Sequence, residues 1–86
     1  MGKVGAELRR TWRECPNDSF DLIIRVDGEL QERSAEMSAR GVSVRRQFHL
    51  TNSLQIRCSG AQALTLAREP WLLRAETDRP VKVLGR

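Results

Sequence analysis

Histidine and cysteine are the residue types most typical of zinc sites and of activated nucleophiles, and this chain has one histidine and two cysteines. His49, Cys15 and Cys58 lie far apart, and the cysteines lack the C-x-x-C spacing of a zinc or redox site. A serine or cysteine nucleophile needs a nearby histidine that a carboxylate orients, and no spacing in the chain suggests such a set. We therefore predict no enzymatic activity, no cofactor and no metal. We expect His49 in a surface turn and both thiols free and partly buried.

Two other features could serve recognition instead. One is the acid pair Glu76 and Asp78, which precedes an extended segment with Val81 and Leu84 three residues apart. The other is the adjacent arginine pair at 45–46. Taken by themselves, the acids are best explained as solvated turn residues, the tail as a segment folded back along a sheet edge, and the arginines as a local basic spot.

Composition restricts the class of protein without naming a function. The chain has 86 residues, of which 40% are hydrophobic and 30% charged, with a formal net charge of +4. A chain of this length forms one small domain with a thin core and has no room for a cleft between subdomains. It contains no apolar run near the roughly 20 residues of a membrane span, and it starts without a secretory segment. We expect an intracellular protein, or a secreted one if a leader has been removed.

Hydrophobic periodicity predicts a leading helix and then six alternating elements. The helix covers residues 4–15 and ends at the turn over 16–18. The elements that follow are a strand over 20–26, a helix over 30–40, strands over 42–48 and 53–58, a helix that starts with the capping box Ser59–Gln62 and stops at 69–70, and a strand over 71–75.

This order predicts an α+β domain of ferredoxin-like β-α-β-β-α-β topology, in which two helices cover one face of an antiparallel sheet. Residues 1–19 form an N-terminal helical extension, residues 20–78 the domain and residues 79–86 an extended tail. The other face of the sheet stays uncovered, and we expect Ile23 and Leu72 to lie on it as part of a docking surface. The open edges of so small a sheet also make a homodimer possible.

RNA-binding modules share this element order, but they stack bases on aromatic side chains of the two central strands. The strand over 53–58 has no aromatic residue, and Phe48 beside the arginines at 45–46 is a weak remnant of that pattern. We therefore expect nucleic acid to be an unlikely partner. The alternative that stays open is an intracellular interaction or regulatory module of the same fold, including a weak nucleic-acid binder that uses Arg45, Arg46 and Arg57.

Four segments of the chain carry a resemblance to a known family through their order and spacing. They are the strand Asp21–Val26, Gly41 followed by Val44–Phe48, the helix end Leu64–Pro70, and Glu76-Thr77-Asp78. In this combination the sequence resembles the propeptides and stand-alone inhibitors of subtilisin-like serine proteases, over about residues 20–84. The N-terminal helix lies outside the matched region.

The resemblance implies a non-enzymatic inhibitor or folding chaperone of such a protease. In that family the open sheet face packs on two parallel surface helices of the protease, and the acids corresponding to Glu76 and Asp78 bind the N-terminal ends of those helices. The tail enters the substrate cleft as an added strand, formed here by Val81, Lys82, Val83 and Leu84. Leu84 corresponds to the residue in the primary specificity pocket, and Val81 to the one in the apolar pocket three residues earlier. Because no protease domain follows in this sequence, we expect action in trans.

Overall fold

Three helices and four strands make up the computed structural model, which describes residues 4–77. The helices are α1 (Ala6–Glu14), α2 (Leu30–Ala39) and α3 (Gly60–Leu66). The strands are β1 (Ser19–Val26), β2 (Ser43–Phe48), β3 (Ser53–Ser59) and β4 (Leu72–Thr77). After α1 the elements follow the predicted β-α-β-β-α-β order, which confirms the α+β fold class and the N-terminal helix ahead of the first strand.

The four strands form one antiparallel sheet in the order β2-β3-β1-β4. Strands β1 and β3 are central, and β2 and β4 are the edges. In the centre of the sheet, Leu22 pairs with Ile56, while Ile23 pairs with Gln55 on one side and with Glu76 on the other. Because neighbours along a strand point to opposite faces, this register separates an apolar set of side chains from a polar one.

The apolar set and the helices enclose the hydrophobic core. Its members from the two central strands are Leu22, Ile24, Val26, Leu54, Ile56 and Cys58. Helix α2 contributes Met37, which is fully buried, and α3 contributes Ala63 and Leu66. We call this the covered side of the sheet.

The prediction for the fourth strand is wrong in one important respect. Leu72, expected on the uncovered face, is only 2% exposed and belongs to the core. The cause is a register shift opposite Arg25 and Val26, which pairs Leu72 with Val26 and leaves Leu73 as the extra residue. Leu72 consequently points to the same side as Val26, and Leu73 is 49% exposed.

Helix α1 is packed into the same core. Trp12 is 1% exposed and belongs to the core cluster together with Val4. At the start of α3, a Cβ on Gly60 would lie 2.6 Å from the carbonyl oxygens of both Trp12 and Cys15. The backbone N–H of Gly60 donates to the carbonyl of Asp18 at 3.1 Å, which holds the end of the α1 segment against α3. The apolar face of α1 therefore serves internal packing.

The predicted capping box at the start of α3 is confirmed. The backbone N–H of Gln62 donates to Ser59 Oγ at 3.1 Å, and the backbone N–H of Ser59 donates to Gln62 Oε1 at 2.9 Å. Two amides that the helix itself leaves unpaired are thus satisfied by side chains. This fixes the point where the chain leaves β3 and enters α3.

Candidate protein-docking face

The face of the sheet opposite to the helices is the candidate site, and we call it the open face. Its side chains follow from the pairing register of the four strands. They are Asp21, Ile23 and Arg25 of β1, Gln55 and Arg57 of β3, Arg46 and Phe48 of β2, and Arg74 and Glu76 of β4. Polar and charged residues predominate, as alternation with a buried set requires.

Ile23 is the apolar centre of the open face. Its side chain is half-buried, it lies outside the core cluster, and its direct neighbours on the adjacent strands are Gln55 and Glu76. Beside it lies a shallow depression of about 320 Å³, whose lining includes Ile23, Arg25, Ser53 and Glu76. An apolar side chain placed among charges in a shallow depression is a common form of protein-binding surface.

Two of the arginines on the open face are neutralised by carboxylates on the same face. Arg57 donates from Nε to Asp21 Oδ1 at 2.8 Å and from Nη2 to Asp21 Oδ2 at 3.1 Å. The two residues thus form a bidentate ion pair between β3 and β1. This hydrogen bonding, together with the charge of Asp21, raises the pKa of Arg57. Arg74 donates from Nε to Glu76 Oε2 within β4.

The other two arginines have no such neutralisation. Arg25 pairs with Arg74 in the sheet, so two arginines occupy directly opposed positions on β1 and β4. Arg46 stands across from Gln55. Within residues 4–77, neither Arg25 nor Arg46 forms an ion pair. Like charges on directly opposed residues destabilise a sheet, so the open face carries a surplus of positive charge that an acidic partner would relieve.

Glu76 lies in strand β4 itself, not in a polar turn after the strand. Its side chain is 56% exposed and that of Arg74 is 67% exposed. An exposed pair of this kind contributes roughly 0.2–1 kcal/mol, so the carboxylate can leave Arg74 for a better donor at little cost. The other predicted contact residues of the C-terminal segment, Asp78, Val81, Lys82, Val83 and Leu84, lie outside the described residues.

The residues considered for catalysis do not come together. His49 is exposed in the turn after β2. Cys58 is buried on the covered side, where burial and then the charge of Asp21 raise the pKa of its thiol to about 11. Cys15 is also free, and desolvation, with the nearby Asp18 adding to it, raises its pKa as well. Neither thiol is activated as a nucleophile, because activation requires a lowered pKa.

Residues 4–77 contain no grouping of three potential metal ligands and no helix long and apolar enough to cross a membrane.

A side-chain cluster on the covered side was not predicted from the sequence. Trp71 lies under two guanidinium groups, with Arg33 Cζ at 4.8 Å and Arg40 Cζ at 5.7 Å from the ring centroid. Arg40 binds Glu69 at 2.6 Å and Glu36 at 3.0 Å, and Arg33 binds Glu36 at 3.2 Å. We call these five residues the Trp71 cluster. The helical spacing of Arg33 and Glu36 in α2 and of Arg40 directly after it was the only available signal, because the contacts with Trp71 and Glu69 join segments distant in sequence.

The open face offers binding groups rather than reacting groups. It combines the apolar side chains of Ile23 and Phe48 with carboxylates that can accept hydrogen bonds and guanidinium groups that can donate them. Comparisons of the chain with protein-family models, with curated proteins and with solved structures found no match.

Proposed function

We propose that this chain is a non-enzymatic inhibitor or folding chaperone of a subtilisin-like serine protease. It docks on the protease by its open face, and the segment after β4 enters the substrate cleft. The proposal joins the resemblance described above to a sheet of matching element order whose one face the helices leave free.

One observation carries most weight: Glu76 and Ile23 are direct neighbours on the open face, at the end of the last strand. An apolar side chain and an exposed carboxylate side by side suit the start of a partner's helix. Ile23 can pack on the first turn while Glu76 accepts hydrogen bonds from its unpaired amides. The same strand leads directly into the segment that contains Val81 and Leu84, so docking and cleft entry come from one continuous stretch of chain.

The decisive experiment compares the intact chain with a version that ends at Asp78, as inhibitors of several subtilisin-type proteases. We expect the intact chain to inhibit at micromolar concentration or below. The shortened chain keeps the open face but loses cleft residues 79–86, so it should still bind while inhibiting far less. If neither version binds any of the proteases at micromolar concentration, the proposal is wrong.

Point variants test the acid directly. Glu76→Gln removes one negative charge from the proposed contact, and we expect binding to weaken by roughly 1–3 kcal/mol because a charged hydrogen-bond acceptor is lost. Asp21→Asn is the matched control, because it removes one negative charge from the same face at a residue engaged by Arg57. Equal losses for the two variants would show that overall charge, not Glu76, governs binding.

The alternative is an interaction or regulatory module that binds nucleic acid weakly through the open face. Its supporting observation is the surplus charge of Arg25 and Arg46, beside Arg57. The absence of an aromatic residue from the central strand β3 weakens it, because base stacking on central strands is the usual mode of such sheets. Binding to RNA or DNA with a steep dependence on salt concentration would favour this alternative.

A further inference from the structure

A second charged site lies away from the open face, between α1 and the end of α3. It is a cleft of about 420 Å³. Its lining consists of Arg9, Arg13, Leu64, Thr65, Ala67 and Arg68. Three of these six residues are arginines, and no acidic side chain of the described range contributes to the lining.

The three arginines line one cleft, and none of them has a carboxylate partner within residues 4–77. Arg9 and Arg13 stand four residues apart on α1, a spacing at which like charges repel on a helix. The Nε–H of Arg9 is sealed from solvent, and no acceptor for it lies in the described part of the chain. A buried donor without an acceptor is destabilising. The three guanidinium groups also give the cleft a surplus of positive charge in the free protein.

Arg10, on the same helix α1, lies among acidic residues, which shows that the charge surplus is confined to the side of α1 that faces the cleft. Arg10 is exposed, and it lies three residues after Glu7 and four residues before Glu14. Its charge is thus placed between two acids, as in an ordinary solvated helix surface. Arg9 and Arg13 face the cleft without any acid.

We propose that this cleft binds a small molecule that carries phosphate, either a polyphosphate or a phosphate ester. Guanidinium groups match phosphate oxygens with two parallel hydrogen bonds, and a multiply charged anion offsets three cations where a single carboxylate offsets one. The volume exceeds that of one inorganic phosphate and lies within the usual range of small-molecule sites, about 300–1,000 Å³. The apolar side chains of Leu64 and Ala67 provide a surface for the organic part of an ester.

The test uses the full chain and follows its thermal midpoint at pH 8 while sodium chloride is replaced by pyrophosphate, or by a nucleoside diphosphate, at equal ionic strength. We expect a saturable rise of several degrees at millimolar ligand, since a ligand that binds only the folded state stabilises it. Saturation by pyrophosphate alone assigns the site to inorganic polyphosphate. Tighter binding of the nucleotide assigns it to phosphate esters. No rise with either ligand overturns the proposal.

Charge-matched variants separate the cleft from general electrostatic effects. Arg9→Gln, Arg13→Gln and Arg68→Gln should each weaken the apparent affinity about tenfold, as expected for the loss of one charge-assisted hydrogen bond. Arg10→Gln removes the same charge from the same helix outside the cleft and should leave the affinity within about twofold. Equal weakening by Arg10→Gln and by the cleft variants overturns the proposal. Arg13 and Arg68 are exposed, so their variants remain informative if Arg9→Gln does not fold. The open face plays no part in this site, so protease binding and phosphate binding can fail separately.

Discussion

The Trp71 cluster and the open face both contain arginines, but the surroundings of these arginines differ. In the Trp71 cluster on the covered side, Arg33 and Arg40 each bind a carboxylate and lie over the same indole ring. On the open face, Arg57 and Arg74 have carboxylate partners, while Arg25 and Arg46 have none within residues 4–77.

This difference separates arginines that hold the fold together from arginines available to a partner. The guanidinium groups of the Trp71 cluster join α2 to the segment between α3 and β4, and about a third or less of each side chain is exposed. Their hydrogen bonds are made within the molecule. The surplus cations of the open face make no such bonds, and their charge contributes to the surroundings of Ile23 and Glu76 instead. The same residue type thus has different roles because of the number of acceptors within its reach.

The largest expected effect concerns packing on the covered side. Gly60→Ala adds one methyl group at 2.6 Å from two backbone carbonyl oxygens, which cannot move without displacing α1. We expect a loss of about 2–3 kcal/mol of unfolding free energy, even though alanine favours the helix more than glycine does. Urea denaturation measures this loss.

The matched change on the open face is Ile23→Ala, which removes three carbons from a half-buried side chain. At about 0.8 kcal/mol per fully buried carbon, discounted for exposure, the expected loss is about 1 kcal/mol. Ile23→Ala should therefore cost less unfolding free energy than Gly60→Ala, although it changes the side-chain volume more. Two equal losses would show that the open face is packed as tightly as the covered side.

The next effect is a pH dependence that arises on the covered side of β3. The thiol of Cys58 has a pKa of about 11 in the folded protein, against an ordinary value of 9.0. The unfolded chain therefore loses this proton first, so the stabilisation is complete below about pH 9 and is lost as the pH rises to 11. We expect a fall of roughly 2 kcal/mol in unfolding free energy between pH 8 and pH 11, from a difference of about two pKa units.

Cys58→Ala is the control for this pH dependence, because it removes the titrating group and keeps a small apolar side chain. Urea denaturation at pH 8, 9.5 and 11 should show a clearly smaller fall for this variant than for the unaltered chain. Cys15→Ala corrects for the second thiol, whose pKa is also raised. If the unaltered chain and Cys58→Ala lose stability in parallel, the thiol of Cys58 is not protected by burial.

The features that could be predicted from sequence are those encoded in short stretches of chain. Alternation of Leu22, Ile24 and Val26 marks β1 and its buried face, and the serine and glutamine of the capping box mark the start of α3. Local spacing is enough here because a strand and a helix end each involve fewer than ten residues. These local patterns predicted the order of the elements, and the order in turn predicted a sheet with one face left open by the helices.

Features that depend on pairing between distant segments were not predictable in this way. Leu72 was assigned to the wrong face because the register shift opposite Arg25 exists only once β1 and β4 have paired. The close approach behind Gly60 needs α1 to be in place. The same holds for the surplus charge of Arg25, because the residue across from it is Arg74 and not an acid. The location of the open face could therefore be predicted from the sequence, whereas the balance of charges on it could be read only from the structure.

The last comparison sets one arginine of the Trp71 cluster against one arginine of the open face. Arg40→Ala removes two ion pairs and one cation–π contact from the Trp71 cluster. Pairs with this exposure contribute roughly 0.2–1 kcal/mol each and the aromatic contact a similar amount, so we expect a loss of about 1–2 kcal/mol in urea denaturation.

Arg46→Ala makes the same change on the open face, where the described residues hold no ion-pair partner for Arg46. It should leave the unfolding free energy nearly unchanged. It should also make the binding of an acidic partner less dependent on salt concentration, because one cation is removed from the contact surface. Double-variant analysis with Glu69→Gln should show coupling for Arg40 and none for Arg46, because only Arg40 contacts that carboxylate. Equal losses of unfolding free energy for Arg40→Ala and Arg46→Ala would contradict this division of roles, since an arginine of the open face would then stabilise the fold as much as one of the Trp71 cluster.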